Sequence, residues 1–396
     1  MSSTKATTGN IGTIDAASLT GAALPAMSGA ALTNIPGVTN GAADPLISTN
    51  PSAVGAAWLN TTSGELFCCT DKTAGANIWT NVGAGYGQVA KPFGGLGAGT
   101  INGYCAGGYS GGTDGFQVRQ DILKVSLSSD GDSTAHGNLI QKAASEKGTG
   151  MAAGHSSATH GYSSGGDYRL PAWATSAAID RFAFSSNVTA TDQGDLDNIK
   201  DYHGGHSTIT HGYTTGGASN ALPATNKMDR FPYASLSGAT SIGTLGQIRQ
   251  VQASCDSNTH GFICGGQRAG INFNNNIDKF AFSSSSTSTD CGDLVASKHT
   301  PKGSSTTTHG YVSGGNPVTD TIQKFHFNTD ANATDVGNLT AAKTGGSALS
   351  AVTHTFITGG NGPITTIQKF AHASDGDSSN TGNLVGARQE TANSQH

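Results

Sequence analysis

The sequence predicts an all-β protein whose larger, C-terminal part, residues 100–396, is a six-bladed β-propeller. A motif recurs six times, and spacing inside each copy is constant except in one segment. The first and last copies are incomplete in complementary ways. Three anchors define a copy. The first is the histidine of T-H-G-Y, at His160, His211, His260, His309 and His354, with Asn102 in its place in the first copy. The second is the aromatic of I-D-K/R-F, at Phe182, Phe231, Phe280, Phe325 and Phe370, with Val125 in the first copy. The third is the leucine of G-D/N-L, at Leu139, Leu196, Leu245, Leu294, Leu339 and Leu384. Short strands repeated at this period are a propeller signature.

The elements follow in chain order. Residues 1–49 are low in complexity, with A-L and A-x-L units broken by Gly and Pro, and carry too little apolar surface to fold alone. They are expected to be an extended anchor that orders on other chains or on copies of itself. Residues 50–86 form a small β-module, with strands at Ala57–Leu59, Glu65–Thr70 and Asn77–Val82 and a core of Trp58, Phe67 and Trp79. Residues 87–99 are a glycine-rich linker.

Each propeller copy then reads as four strands, in the fifth A-L-S-A-V-like, H-G-Y-V-S, T-I-Q-K-F-H-F and A-T-D-V-G-N-L. The second and third anchors stay 14 residues apart in every copy, as from Phe182 to Leu196. Such constancy belongs to paired strands, where one inserted residue reverses every side chain. The segment after the double glycine shrinks from 13 residues in the first copy to 6 in the last two, so it is a surface loop. The first copy lacks its leading strand, and the C-terminal Q-E-T-A-N-S-Q supplies one. Pairing about 388–395 with 103–107 would leave no open edge.

Charged residues are only 12% of the chain and the formal net charge is -5, with no Lys/Arg cluster. That argues against nucleic acid or an anionic membrane as partner. No apolar run is long enough to insert in a membrane, and no secretion signal is visible. The six cysteines have no metal-site spacing and read as small buried residues of a protein made in a reducing cytoplasm. The THGY histidines recur around the fold, too far apart for one metal ion. They are expected to satisfy backbone groups at the glycine-rich turn. SDGDS at Ser129–Ser133 and Ser374–Ser378 lacks the later glutamate of a calcium loop and is expected to be a hairpin turn. No catalytic constellation, metal site or cofactor motif is found, so no enzyme is expected.

Candidate ligand-binding residues are the aromatics of the long loops: Phe116, Tyr168, Trp173 and Phe273. Aromatic faces stack on sugar rings at small entropic cost. The competing role for Trp173, beside Pro171, is to pin its own loop.

The double glycine after the second strand resembles kelch-type blades, although the usual later tryptophan is absent. W-L-N-T-T-S-G-E-L-F-x-C-T-D and A-S-L-T-G-A-x-L-P-A resemble modules of tailed-phage tail fibres and virion structural proteins, particularly marine ones. The resemblance implies a virion protein made in the host cytoplasm. It would join other virion proteins, or copies of itself, through residues 1–86 and bind a host-surface receptor or glycan through the propeller. The alternatives are a purely structural capsid or tail decoration protein and, third, a glycan depolymerase.

Overall fold

The computed structural model describes residues 38–62, 65–81, 98–99, 101–111, 117–141, 148–170, 172–219, 223–268 and 273–396. The chain divides into two units, Met1–Val89 and Ala90–His396. The described residues are all-β and contain no helix. Phe116 lies outside them.

In the first unit, four strands pair in the order Val38–Gly41, Ala57–Asn60, Leu66–Asp71 and Ile78–Asn81. The first pair is parallel and the others antiparallel. The sheet thus reaches back into residues expected to be extended anchor. Gly41 permits this, since a Cβ there would stand 2.4 Å from the Trp58 indole. Asn77 holds the intervening segment by donating to the Ile47 carbonyl at 2.6 Å and to Asn50 Oδ1 at 3.0 Å. The buried apolar residues are Leu59 and Cys69, whereas Trp58, Phe67 and Trp79 are only half-buried. Among the described residues no second layer covers this sheet, so the three large rings are not enclosed.

The second unit contains six sheets that share one antiparallel order. The second sheet shows it in full: Ala153–Ser156, His160–Ser164, Ala178–Ala183 and Thr191–Asp195. In the first sheet the leading strand is Ala392–Gln395, paired with Asn102–Ala106 through Asn393↔Cys105 and Ser394↔Tyr104. The C-terminal segment therefore completes the first copy as its missing strand. The sixth sheet gains a fifth strand, Ala98–Gly99, parallel to Ser347–Ala351.

The motif residues explain themselves in this register. Gly161 lies directly opposite Phe182, and a Cβ on it would stand 2.3 Å from that ring. The same holds at Gly212 under Phe231, Gly261 under Phe280 and Gly310 under Phe325. Both glycines of each pair, such as Gly165 and Gly166 (φ 61° and 86°), adopt left-handed backbone. A side chain on Gly165 would also meet the Lys200 carbonyl at 2.4 Å.

Burial is organised between sheets. Six apolar clusters each join two sheets: first with second, and so on in sequence to fifth with sixth. The last cluster packs Leu123 and Val125 of the first sheet against Leu349 and Phe356 of the sixth. Hydrogen bonds between leading strands follow the same circuit. Ser156 N donates to Ser207 Oγ (3.0 Å), Ser207 N to Asp256 Oδ2 (3.0 Å) and Asp256 N to Ser305 Oγ (2.8 Å). Ser305 N donates to Ser350 Oγ (3.0 Å), Ser350 N to Gln395 Oε1 (3.4 Å), and Gln395 N returns to Ser156 Oγ (2.9 Å).

Candidate ligand-binding mouth

The double-glycine end of the sheets carries the length-variable loops and the turns that lead into each first strand. Those turns share an unusual residue. Met151, Tyr202, Val251, Thr300 and Glu390 have φ of 53°, 53°, 50°, 53° and 52°, and Gly345 holds the sixth position at 65°. Left-handed backbone is rare for any side chain and worst for β-branched ones, so Val251 and Thr300 are notable.

Backbone bonds link these residues from sheet to sheet. Tyr202 N donates to the Met151 carbonyl (3.2 Å), Val251 N to Tyr202 (2.8 Å) and Thr300 N to Val251 (2.7 Å). Glu390 N donates to the Gly345 carbonyl (2.9 Å) and Met151 N to that of Glu390 (3.2 Å). A short Thr300–Thr344 hydroxyl contact spans the remaining step. Together the six residues line a cavity of about 430 Å³.

The rest of the lining is polar and largely amide. Gln250 donates to Gln267 Oε1 at 2.7 Å, and Asn316 Nδ2 donates to His299 Nε2 at 3.0 Å. The Glu390 carboxylate is held by Lys302 at 2.6 Å. Gln389 is buried, and its Oε1 has no hydrogen-bond partner among the described residues. Burial pushes the His299 imidazole below its ordinary value, which favours the neutral ring.

Beside the mouth, the buried Tyr109 hydroxyl donates to Asp167, and Asp167 and Gly150 exchange backbone bonds. Burial raises the Asp167 carboxyl to about 7 despite the Tyr109 hydrogen bond; Asp201 and Glu390 push in the same direction as burial. Burial likewise raises Asp201 to about 6.

Two of the sequence-predicted aromatics share one hairpin, Asp167–Leu170 with Ala172–Thr175. Half-buried Tyr168 is opposite Ala174, and Trp173 is opposite Arg169. Trp173, 41% exposed, sets its ring edge-on to Tyr109, with centroids 5.7 Å apart. It therefore fixes its hairpin on Tyr109, in the loop ribbon of the first copy, while keeping an exposed face. Phe273, 37% exposed, lies 5.0 Å from the His299 ring and so adjoins the mouth.

Sequence reasoning missed the six left-handed residues. Each stands two positions after a basic residue in five copies (Lys200, Arg249, Lys298, Lys343, Arg388), but only Gly345 advertises the conformation.

The THGY histidines lie at the opposite end, and their role differs from the expectation. The backbone of that turn is served by a hydroxyl: Ser157 Oγ accepts from His160 N at 3.0 Å. The His160 ring instead bonds the Thr159 hydroxyl through Nδ1 (2.7 Å) and accepts from Arg181 through Nε2 (3.1 Å). The SDGDS carboxylates are also engaged. Asp130 pairs with Lys369, and Asp375 pairs with Lys324 at 2.8 Å. Asp132 and Asp377 accept from the backbone of Asn383 and Asn338, each at 2.8 Å. Both turns thus tie one sheet to its neighbour.

All six cysteines are free, five buried and Cys68 half-buried. Among the described residues no group of three or more His, Cys, Asp or Glu could hold a metal ion. A scan against protein-family models returns no match for this chain. A search of the curated proteins returns no match either.

Proposed function

We propose that the second unit is a six-bladed, kelch-like β-propeller. We further propose that the chain is a tailed-phage virion protein, a tail fibre or receptor-binding protein that attaches the particle to a host-surface glycan or protein. The six between-sheet cores and the returning serine circuit support the propeller. The module motifs of residues 17–26 and 58–71 support the virion context by resemblance.

One observation carries the attachment reading. Ile101 N and Asn102 N donate to the His396 carbonyl at 2.8 and 3.0 Å, so the strand that opens the first copy and the one that completes it meet at one point. That point lies at the end of the sheets opposite the double-glycine turns, the variable loops and the mouth. The chain enters the first copy from that face, which leaves the loop-bearing face to meet a ligand, as attachment requires.

The test is competition. Purified full-length protein, added in excess, is expected to bind host cells and block adsorption of the phage. Trp173→Ala with Phe273→Ala should weaken both effects. Absence of host-cell binding at micromolar protein, with the loop face covered by another virion chain in a map of the particle, would replace attachment by a structural role.

A further inference from the structure

We infer that the mouth is a subsite for an uncharged sugar, a neutral mono- or disaccharide unit at the end of a glycan. This rests on the reading of the loop face as the recognition face and gives that face a ligand class and a place. The cavity, about 430 Å³, falls in the range of small-ligand sites.

Its chemistry suits hydroxyl groups. Amides, hydroxyls and imidazoles both donate and accept, as a sugar does, and they converge here from several sheets. Gln389 supplies a buried acceptor without a hydrogen-bond partner among the described residues. A ligand hydroxyl donating to it would satisfy a group that is costly to leave bare.

Charge narrows the class further. Among the described lining residues one carboxylate, Glu390, faces the mouth, and it already has Lys302 as its counter-ion. Asp167 and Asp201 lie close by, and no cation among the described lining residues faces the cavity to receive an acidic sugar. Uronates and sialic acids are therefore disfavoured. Phe273, stacked near His299 at the rim, offers the aromatic face that sugar rings use.

The turn geometry points the same way. The sixth copy makes its turn with Gly345, so the turn itself requires no side chain. Five copies nevertheless hold one in left-handed backbone, and all five line the cavity.

The experiment is ligand binding by the full chain, read by saturation-transfer NMR and calorimetry. The probes are methyl glycosides of glucose, galactose, mannose, fucose and N-acetylglucosamine, their common disaccharides, and glucuronate and N-acetylneuraminate. At least one neutral probe is expected to bind, with the anionic probes tenfold or more weaker. Gln389→Ala and Asn316→Ala should each weaken binding by about tenfold, the loss expected for a buried hydrogen bond. Asn361→Trp, placed on an exposed rim residue so that the fold survives, should block the mouth. Val188→Ser, at an exposed residue on the opposite end of the sheets, should leave the affinity within about twofold of wild type. Failure of every neutral probe, or unchanged binding in Asn361→Trp, would overturn the subsite. Host-cell attachment that persists in Asn361→Trp would remove the subsite and leave the attachment reading standing. Sugar binding at the mouth without host-cell attachment would do the reverse.

Discussion

Asp167 shows how a single residue ties loop geometry to pH. It is buried, receives the Tyr109 hydroxyl, and is surrounded by Asp201, Glu390 and Tyr202. Its folded carboxyl binds a proton up to about pH 7, against an ordinary value of 3.8. Between those values the folded state holds more protons than the unfolded one, so this group's contribution to stability falls as pH rises through that window. Asp167→Asn removes the titration. The variant is therefore expected to gain stability relative to wild type as pH is raised from 5 to 8, measured by thermal unfolding at each pH. A constant difference would show that the carboxyl titrates normally. Buried histidines act in the opposite sense. Burial holds His155 and His372 at about 4, which weakens the fold below pH 6.5 in both proteins alike and cancels in the comparison.

The repeated sheets are alike in backbone, and the buried cations that five of the six copies carry are neutralised in different ways. Lys200 pairs with buried Asp229 of the next sheet, and Arg249 pairs with Asp278 at 2.9 Å. In the fifth and sixth sheets the aspartate position is Gln323 or Gln368. Lys343 then has only the Gly359 carbonyl, at 3.3 Å, and burial lowers its ammonium to about 8. Removing one partner of a buried pair strands the other charge, whereas removing an unpaired buried charge relieves a desolvation cost. Lys200→Met is therefore expected to destabilise the protein by about 3–5 kcal/mol. Lys343→Met should be neutral or stabilising by about 1–2 kcal/mol at pH 7. Denaturant unfolding of both variants checks the contrast, and equal losses would refute it. The lysine positions were legible as a spacing in the sequence. Which of them had a counter-ion was not, because the partner belongs to the next sheet.

At the scale of the whole unit, Ala392–Gln395 joins the two ends of the chain segment. It pairs with Asn102–Ala106, Ser394 Oγ donates to the His155 carbonyl at 2.8 Å, and Gln395 completes the serine circuit. Deleting Ala392–His396 removes a strand, opens the cluster that contains Ala392, and leaves the edge of Asn102–Ala106 unpaired. The expected result is a fall in Tm on the order of 10 °C or more, consistent with a loss of several kcal/mol in a unit of this size. An unchanged Tm would mean that the first and sixth sheets hold together without the shared strand.

The sequence by itself determined what repeats. Its six copies, the order of strands within each and the terminal strand that completes the first copy all follow from spacing, because pairing register is a local constraint. It also marked the loop end, through the one segment whose length is free to vary. Only the tertiary structure decided what those copies surround. Five left-handed residues carry no glycine to announce them, and Gln389, Asn316 and His299 belong to different sheets. Val38–Gly41 reads as part of a low-complexity stretch until the Trp58 strand pairs with it. The physical reason is the same in each case: the partner lies in another sheet or strand, brought close by packing, and nothing in the adjacent residues records its distance.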